Sequence, residues 1–162
     1  MTVRRIISSE GQKAITAIHN LHNKSLKVGW FKDSKYEDGI QVALVAAQNE
    51  FGNPSKNIPA RPFLRPTIIR EENNWIKISN DGAKKVLKGQ LTIDQVLDLL
   101  GFKAEADVKK SIELVYNPPL APATIQARLS KYKNKTKVGN LTKPLVDTEH
   151  MLNTVTHELS DE

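Results

Sequence analysis

Hydrophobic residues follow the 3.6-residue period of a helix over most of this chain and alternate with polar residues in two short segments. The alternation over residues 26–31 and 154–159 predicts two strands, which we expect to pair with each other. The helical period predicts helices over residues 8–23, 40–51, 63–88, 92–100, 102–116 and 123–129, and a helical turn over 147–152. The chain is therefore predicted to be α+β, with several helices packed on a small, mostly antiparallel sheet.

Glycines and polar residues indicate where the predicted helices end or bend. Gly52 should end the helix over residues 40–51, and Gly101 should end or bend the helix that Thr92 caps. Asparagines and a glycine weaken the middle of the long helix, so a kink or break is predicted at residues 79–82. The apolar face of the helix over residues 40–51 is predicted to consist of Ile40, Leu44, Ala47 and Phe51.

The most distinctive part of the sequence lies in residues 50–66. It begins with Glu-Phe-Gly at residues 50–52, and residues 58–66 read Ile-Pro-Ala-Arg-Pro-Phe-Leu-Arg-Pro. Proline fixes its own φ and favours an extended residue before it, so this segment should be stiff. A rigid loop that leads into a helix explains the composition, and so does a surface that contacts a partner.

Two later segments of the sequence are also distinctive. Residues 119–124 read Pro-Leu-Ala-Pro-Ala-Thr and are followed by Arg128, and residues 143–148 read Lys-Pro-Leu-Val-Asp-Thr and are followed by Leu152. In this order the three segments resemble the EFG…IPARPFLRP, PL(S/A)P-x-T…R and KPL(I/V)DTG..L motifs of the tailed-bacteriophage virion morphogenesis family. That family comprises tail-completion and neck proteins and includes the HK97 gp10-like and Mu G-like proteins.

The similarity covers roughly residues 40–70 and 118–156. Glu149 departs from the motif, because the family usually has glycine at this position. If that glycine adopts a positive φ, Glu149 should use a slightly different turn.

The resemblance implies a structural protein, not an enzyme. It implies a homo-oligomeric ring, a hexamer, that completes the phage tail or joins it to the head while the genomic DNA passes through without sequence-specific contact. The implied partners are a phage neck or head-closure protein and the tail tube protein, and the implied location is the virion, after assembly in the host cytoplasm. The expected assembly interface consists of Phe51, Arg61, Phe63, Leu64 and Arg65. For the three apolar residues of this set, burial in the core of one subunit is the alternative.

The positive charge of the chain is concentrated in one segment. The net charge is +6, and between Arg128 and Lys143 every charged residue is basic. We interpret residues 130–143 as a flexible basic loop or protruding hairpin. A solvated loop is one explanation, and a loop that lines a DNA channel or contacts an acidic neighbour is the other. The basic residues are Arg128, Lys131, Lys133, Lys135, Lys137 and Lys143.

This loop supports an alternative function, a basic protein that binds duplex DNA without sequence preference. Such binding would weaken steeply with salt. Sequence-specific reading is not expected, because the chain has no recognition-helix motif.

Catalytic and metal-binding patterns are missing from the sequence. The chain has no cysteine, its four histidines lack metal-site spacing, and no G-x-S-x-G, P-loop or G-x-G-x-x-G pattern occurs. We therefore expect no enzymatic activity, no cofactor and no metal. A hydrolase is a third hypothesis, but it has no candidate nucleophile and base.

Length and hydropathy predict one domain over residues 1–162 and no membrane partner. A single domain of this size can bury a sizeable core. No apolar run reaches the roughly 20 residues that cross a bilayer, and the first residues lack the apolar region of a secretion signal. We expect the chain to stay in the cytoplasm until it is assembled.

Overall fold

The computed structural model describes residues 24–133 and 141–161, together with Ser8, Ser9, Gly11, Gln12, Ile15 and Thr16. Within this part of the chain, helices pack on a two-stranded antiparallel sheet, and the predicted α+β fold is confirmed. The helix predicted over residues 8–23 lies largely outside the described residues. The elements are β1 (Lys24–Gly29), α1 (Val42–Phe51), α2 (Leu64–Leu87), α3 (Ile93–Leu114), α4 (Pro122–Lys131), α5 (His150–Asn153) and β2 (Thr156–Asp161), and a 3-10 turn covers Pro54–Lys56.

The two predicted strands form the sheet, and their predicted pairing is confirmed. Val28 lies opposite His157 and Leu26 lies opposite Leu159. These residues belong to the face that α3 covers, because His157 bonds to Glu105 of that helix. The opposite face is polar, as a sheet with one solvated side requires.

The long helices α2 and α3 pack against each other. Thr92 caps α3 as predicted, and Gln95 completes a capping box with it. Of the kink or break predicted at residues 79–82, the break is wrong, because α2 continues through them and Gly82 packs against α3. A Cβ atom at Gly82 would overlap the side chain of Val96, so this glycine permits close helix packing.

Gly101 has the same role, and the predicted helix end there is also wrong. The helix α3 continues past Gly101 to Leu114. A Cβ atom at Gly101 would overlap the ring of His157 on β2. The glycine therefore lets the sheet approach the helix, and its cost in helix propensity is about 1 kcal/mol.

The main core joins α1, α3 and the segment before β2 around the start of α2. It consists of Val42, Ala46, Phe63, Val108, Ile112, Val146, Met151 and Val155. The hydrogen bond from Trp30 Nε1 to the Met151 carbonyl, at 2.8 Å, joins the end of β1 to α5 beside this core. None of the helices in residues 24–133 and 141–161 is long and apolar enough to span a bilayer.

The predicted apolar face of α1 is on the wrong side of the helix. The buried residues are Val42, Ala46 and Glu50, whereas Leu44 is 53% exposed and Phe51 is 67% exposed. Residues 42–47 of α1 are all apolar, so periodicity does not distinguish its faces. The rotation of the helix follows instead from Glu50, whose carboxylate bonds to the start of α2.

Candidate functional site

The carboxylate of Glu50 binds the first turn of α2. It accepts hydrogen bonds from the backbone N–H groups of Phe63 at 2.7 Å, Leu64 at 2.9 Å and Arg65 at 3.2 Å. Phe63 occupies the N-cap position of α2, where its side chain cannot accept a hydrogen bond. Glu50 therefore caps α2 from a different helix, and its negative charge stabilises the positive end of the helix dipole.

The Arg65 side chain completes this arrangement at the surface. Its Nε lies 2.8 Å from Glu50 Oε1, and its Nη2 donates to the Glu50 carbonyl at 3.1 Å. The guanidinium also lies over the ring of Phe51, 4.9 Å from the ring centroid. Burial alone would raise the pKa of Glu50, but the bonds from Arg65 and the three backbone amides outweigh it and leave this pKa below its ordinary value. Glu50 is therefore buried in its charged form.

Arg61 joins the loop before α2 to the Pro118-Pro119 turn. Its Nε donates to the Pro118 carbonyl at 2.7 Å, and its Nη2 donates to the Pro119 carbonyl at 2.9 Å. Arg61 is 5% exposed. These bonds lie within its own chain, and the expected contact of Arg61 with a neighbouring subunit stays a prediction. The pKa of Arg61 is lowered by burial and, to a smaller extent, by the nearby charge of Arg128.

Phe63 and Leu64 also point into their own subunit. Phe63 is fully buried, its ring meets the edge of Trp30, and its carbonyl accepts bonds from Thr67 Oγ1 at 2.6 Å and Ser111 Oγ at 3.0 Å. Leu64 is partly buried against the same core. For these two residues the structure favours the core interpretation over the interface one. Phe51 and Arg65 are the two members of the expected interface that are exposed.

Arg128 connects α4 to the third segment of the resemblance. Its Nη1 donates to the Lys143 carbonyl at 2.9 Å and to the Leu141 carbonyl at 3.3 Å. Its Nε lies 3.3 Å from Asp147 Oδ1, an ion pair without the angles of a hydrogen bond. The Arg128 side chain is 13% exposed. The guanidinium holds its own chain together, and the expectation that Arg128 faces DNA or a partner stays a prediction.

The three segments meet around one open cavity of about 310 Å³. Arg61 comes from the first segment, Leu120 and Arg128 from the second, and Asp147 from the third. Tyr36 also lines this cavity, and its pKa is raised by burial and by two nearby carboxylates. The basic and acidic side chains around the cavity balance, so its charge favours neither an anion nor a cation.

The other basic residues of the loop have varied surroundings. Lys131 and Lys133 are exposed, and the Lys131 ammonium lies 5.0 Å from the centre of the Tyr132 ring. Lys143 is half-buried, with its ammonium 5.3 Å from the centre of the Tyr116 ring. Lys135 and Lys137 lie outside the described residues.

Two residues near Asp147 adopt the left-handed backbone conformation that favours glycine. Leu145 has φ +64° and Glu149 has φ +58°. Glu149 was expected to use a different turn from a glycine at this position. Instead it adopts a positive φ itself, immediately before α5, and its backbone is strained there.

Sequence reasoning missed two buried polar groups. The role of Glu50 was missed, although an uncapped helix start at Phe63 was a usable signal. The second group is His157, whose Nδ1 lies 2.5 Å from Glu105 Oε1 and whose Nε2 lies 3.4 Å from Asp98 Oδ1. The contacts of His157 hold β2 against α3. In the part of the chain that the structure describes, no group of three histidine, aspartate or glutamate side chains is arranged to hold a metal ion.

Comparisons of this chain with models of known families, with curated proteins and with solved structures find no match.

Proposed function

We propose that this chain is a structural subunit of the neck or tail end of a tailed bacteriophage. It forms a homo-oligomeric ring that completes the tail or joins it to the head, and the genomic DNA passes through the ring. The neck or head-closure protein and the tail tube protein are its neighbours. The proposal rests on the resemblance of three ordered sequence segments to the virion morphogenesis family.

One observation supports this proposal beyond the sequence. The three segments are distant along the chain, but their side chains bond one to the next in the fold. Arg61 of the first bonds to the Pro118 and Pro119 carbonyls beside the second, and Arg128 of the second bonds to Lys143 and Asp147 of the third. Residues that resemble a family pattern and also build one contact network are expected if the pattern specifies the family fold.

The charge distribution supports contact with DNA only as a secondary property. Arg128 is occupied inside the chain, whereas Lys131 and Lys133 are exposed and available for phosphate contacts. Such contacts position a protein on DNA without reading its sequence. DNA binding as the main function would require an affinity that falls steeply with salt and is lost when Lys131, Lys133, Lys135 and Lys137 become glutamine.

The test is to delete the gene from a phage that carries it and to image the resulting particles by electron microscopy. Filled heads that lie apart from tails of normal length would support a joining or completion role. Abnormally long tails would instead support a terminator role in the same structure. Intact, infectious virions would overturn the proposal and leave DNA binding as the better candidate.

A further inference from the structure

We infer that an uncharged surface formed by α1 and an adjacent proline-lined groove is the contact between neighbouring copies of this chain. This inference rests on the proposed ring and names the surface that would build it. The uncharged surface consists of the outer face of α1 (Leu44, Ala47 and Phe51), the loop residues Ile58, Pro59 and Ala60, and the residues Pro119 to Thr124.

The sequence of this region is unusually poor in charge. Charged residues make up 26% of the chain, but residues 39–60 contain only Glu50 and Lys56, and residues 114–127 contain none. Glu50 is 2% exposed and bonds to the start of α2, so its charge does not reach the surface. Depletion of charge, with exposed apolar and aromatic residues, is the composition of the centre of a protein interface.

The structure exposes large apolar side chains on this surface. Leu44 is 53% exposed and Phe51 is 67% exposed. Arg65 lies over the Phe51 ring, and its guanidinium is held by Glu50. A bonded arginine and an aromatic ring lose little freedom on binding, which lowers the cost of forming a contact.

Beside this helix lies a groove of about 1050 Å³ with stiff, apolar walls. Its walls include Phe51, Ile58, Pro59, Pro119, Leu120 and Pro122. Arg61 is the one charged residue that lines it in the described part of the chain, and its guanidinium is bonded to the Pro118 and Pro119 carbonyls. The groove is therefore shaped for an uncharged, convex surface.

Charge identifies a second copy of the chain as the occupant. With a net charge of +6, two copies repel each other wherever their basic surfaces meet. The uncharged surface reduces this repulsion, because Glu50 and Arg65 are paired with each other and the exposed Lys56, at the edge of the groove, is the one other charged residue in residues 39–60 and 114–127. DNA and a strongly acidic partner are disfavoured there, since Lys56 alone would offer them little positive charge.

The two parts of the surface differ in shape, and this predicts a head-to-tail contact. The outer face of α1 is convex and the groove is concave, so the helix of one copy fits the groove of the next. A contact between two unlike surfaces repeats and closes into a ring when its rotation permits. An isologous dimer would pair the α1 faces with each other instead.

Sedimentation of the purified full chain over a range of concentrations tests the inference. Wild type should form oligomers, and Leu44→Asp and Thr124→Asp should each remain monomeric, because each buries a charge in the contact. Ile76→Asp is the matched control, since Ile76 is 50% exposed on α2 away from this surface, and it should associate as wild type does. Circular dichroism verifies that each variant is folded.

An equimolar mixture of Leu44→Asp and Thr124→Asp tests the head-to-tail geometry. Each variant keeps one intact half of the contact, so the mixture should form dimers and stop there. Wild type that stays monomeric, Leu44→Asp that associates normally, or Ile76→Asp that dissociates equally would overturn the inference. A mixture that forms no dimer would overturn the head-to-tail contact. These results are independent of particle morphology, so a failure here is distinguishable from a failure of the phage proposal.

Discussion

Glu50 and Arg65 lie on different helices, and the Glu50 carboxylate bonds to both the backbone N–H and the side chain of Arg65, at 3.2 Å and 2.8 Å. The same carboxylate accepts the N–H groups of Phe63 and Leu64. One buried charge therefore sets the rotation of α1, begins α2 and orients an exposed arginine. Residues 50–66 therefore determine the local fold, and this fold leaves Phe51 and Arg65 exposed to solvent.

Replacement of Glu50 by alanine should lower the free energy of unfolding by about 3 kcal/mol. The reason is that several amide donors at the start of α2 lose their acceptor, and each unsatisfied buried donor costs about 1–3 kcal/mol. Urea unfolding measures the loss. The control is Glu72→Ala, an exposed position on α2, which should change stability by less than about 0.5 kcal/mol. Equal stability of the two variants would contradict the proposed role of Glu50.

The lowered pKa of Glu50 predicts an acid-sensitive component of stability. A carboxyl group with a folded-state pKa below its ordinary value of 4.5 stabilises the fold above that value, and this stabilisation disappears as the pH falls through the folded-state pKa. Wild type should therefore lose more stability than Glu50→Gln between neutral pH and the region below pH 4.5. Urea midpoints of both proteins at a series of pH values give the difference. Parallel pH curves would show that Glu50 contributes no such component.

Replacement of each arginine separates the role of Arg61 from that of Arg65. Arg61→Glu should destabilise or unfold the chain, because it places a carboxylate against the Pro118 and Pro119 carbonyls in a buried site. Arg65→Gln should cost less, because its side chain is 57% exposed and the three backbone amides still bind Glu50. Thermal unfolding of the two variants compares them. A fully stable Arg61→Glu chain would instead favour the original expectation that Arg61 serves a partner.

Glycine at position 149 should stabilise the chain by about 1 kcal/mol. Glu149 has φ +58°, a conformation that costs an ordinary residue about 1–2 kcal/mol and glycine very little. The control is Glu158→Gly in β2, where the same replacement should destabilise by about 0.5–1 kcal/mol because the backbone there is extended. Chemical unfolding of both variants tests the prediction, and a destabilised Glu149→Gly would contradict it.

The sequence alone was sufficient to predict the helices and strands that depend on local residue patterns. The two strands, predicted over residues 26–31 and 154–159 and observed over Lys24–Gly29 and Thr156–Asp161, follow from alternation, and the helix start at Thr92 and the helix end at Gly52 follow from capping and glycine chemistry. Each of these signals lies within a few residues of the feature that it predicts. Local physics was therefore enough to obtain the fold class.

The errors concern features that depend on distant residues. Glycine is typical of helix ends, so Gly82 and Gly101 were predicted to interrupt their helices. They instead allow Val96 and His157 to pack closely from other elements, and these contacts cannot be predicted from neighbouring residues in the sequence. The outer face of α1 was assigned to the core because its periodicity is ambiguous, and only the bond from Glu50 to α2 resolves it. Arg61 was placed on the surface for the same reason, since its acceptors lie in a turn far along the chain.

Complementation of the gene-deleted phage, with particle morphology read by electron microscopy, shows whether the chain and its α1 surface assemble the particle. Wild type and Ile76→Asp should restore joined, infectious particles, whereas Leu44→Asp, although folded, should leave heads and tails unassembled or tails of abnormal length. Full restoration by Leu44→Asp would contradict the assembly surface. Normal particles without any copy of the chain would contradict the structural role itself.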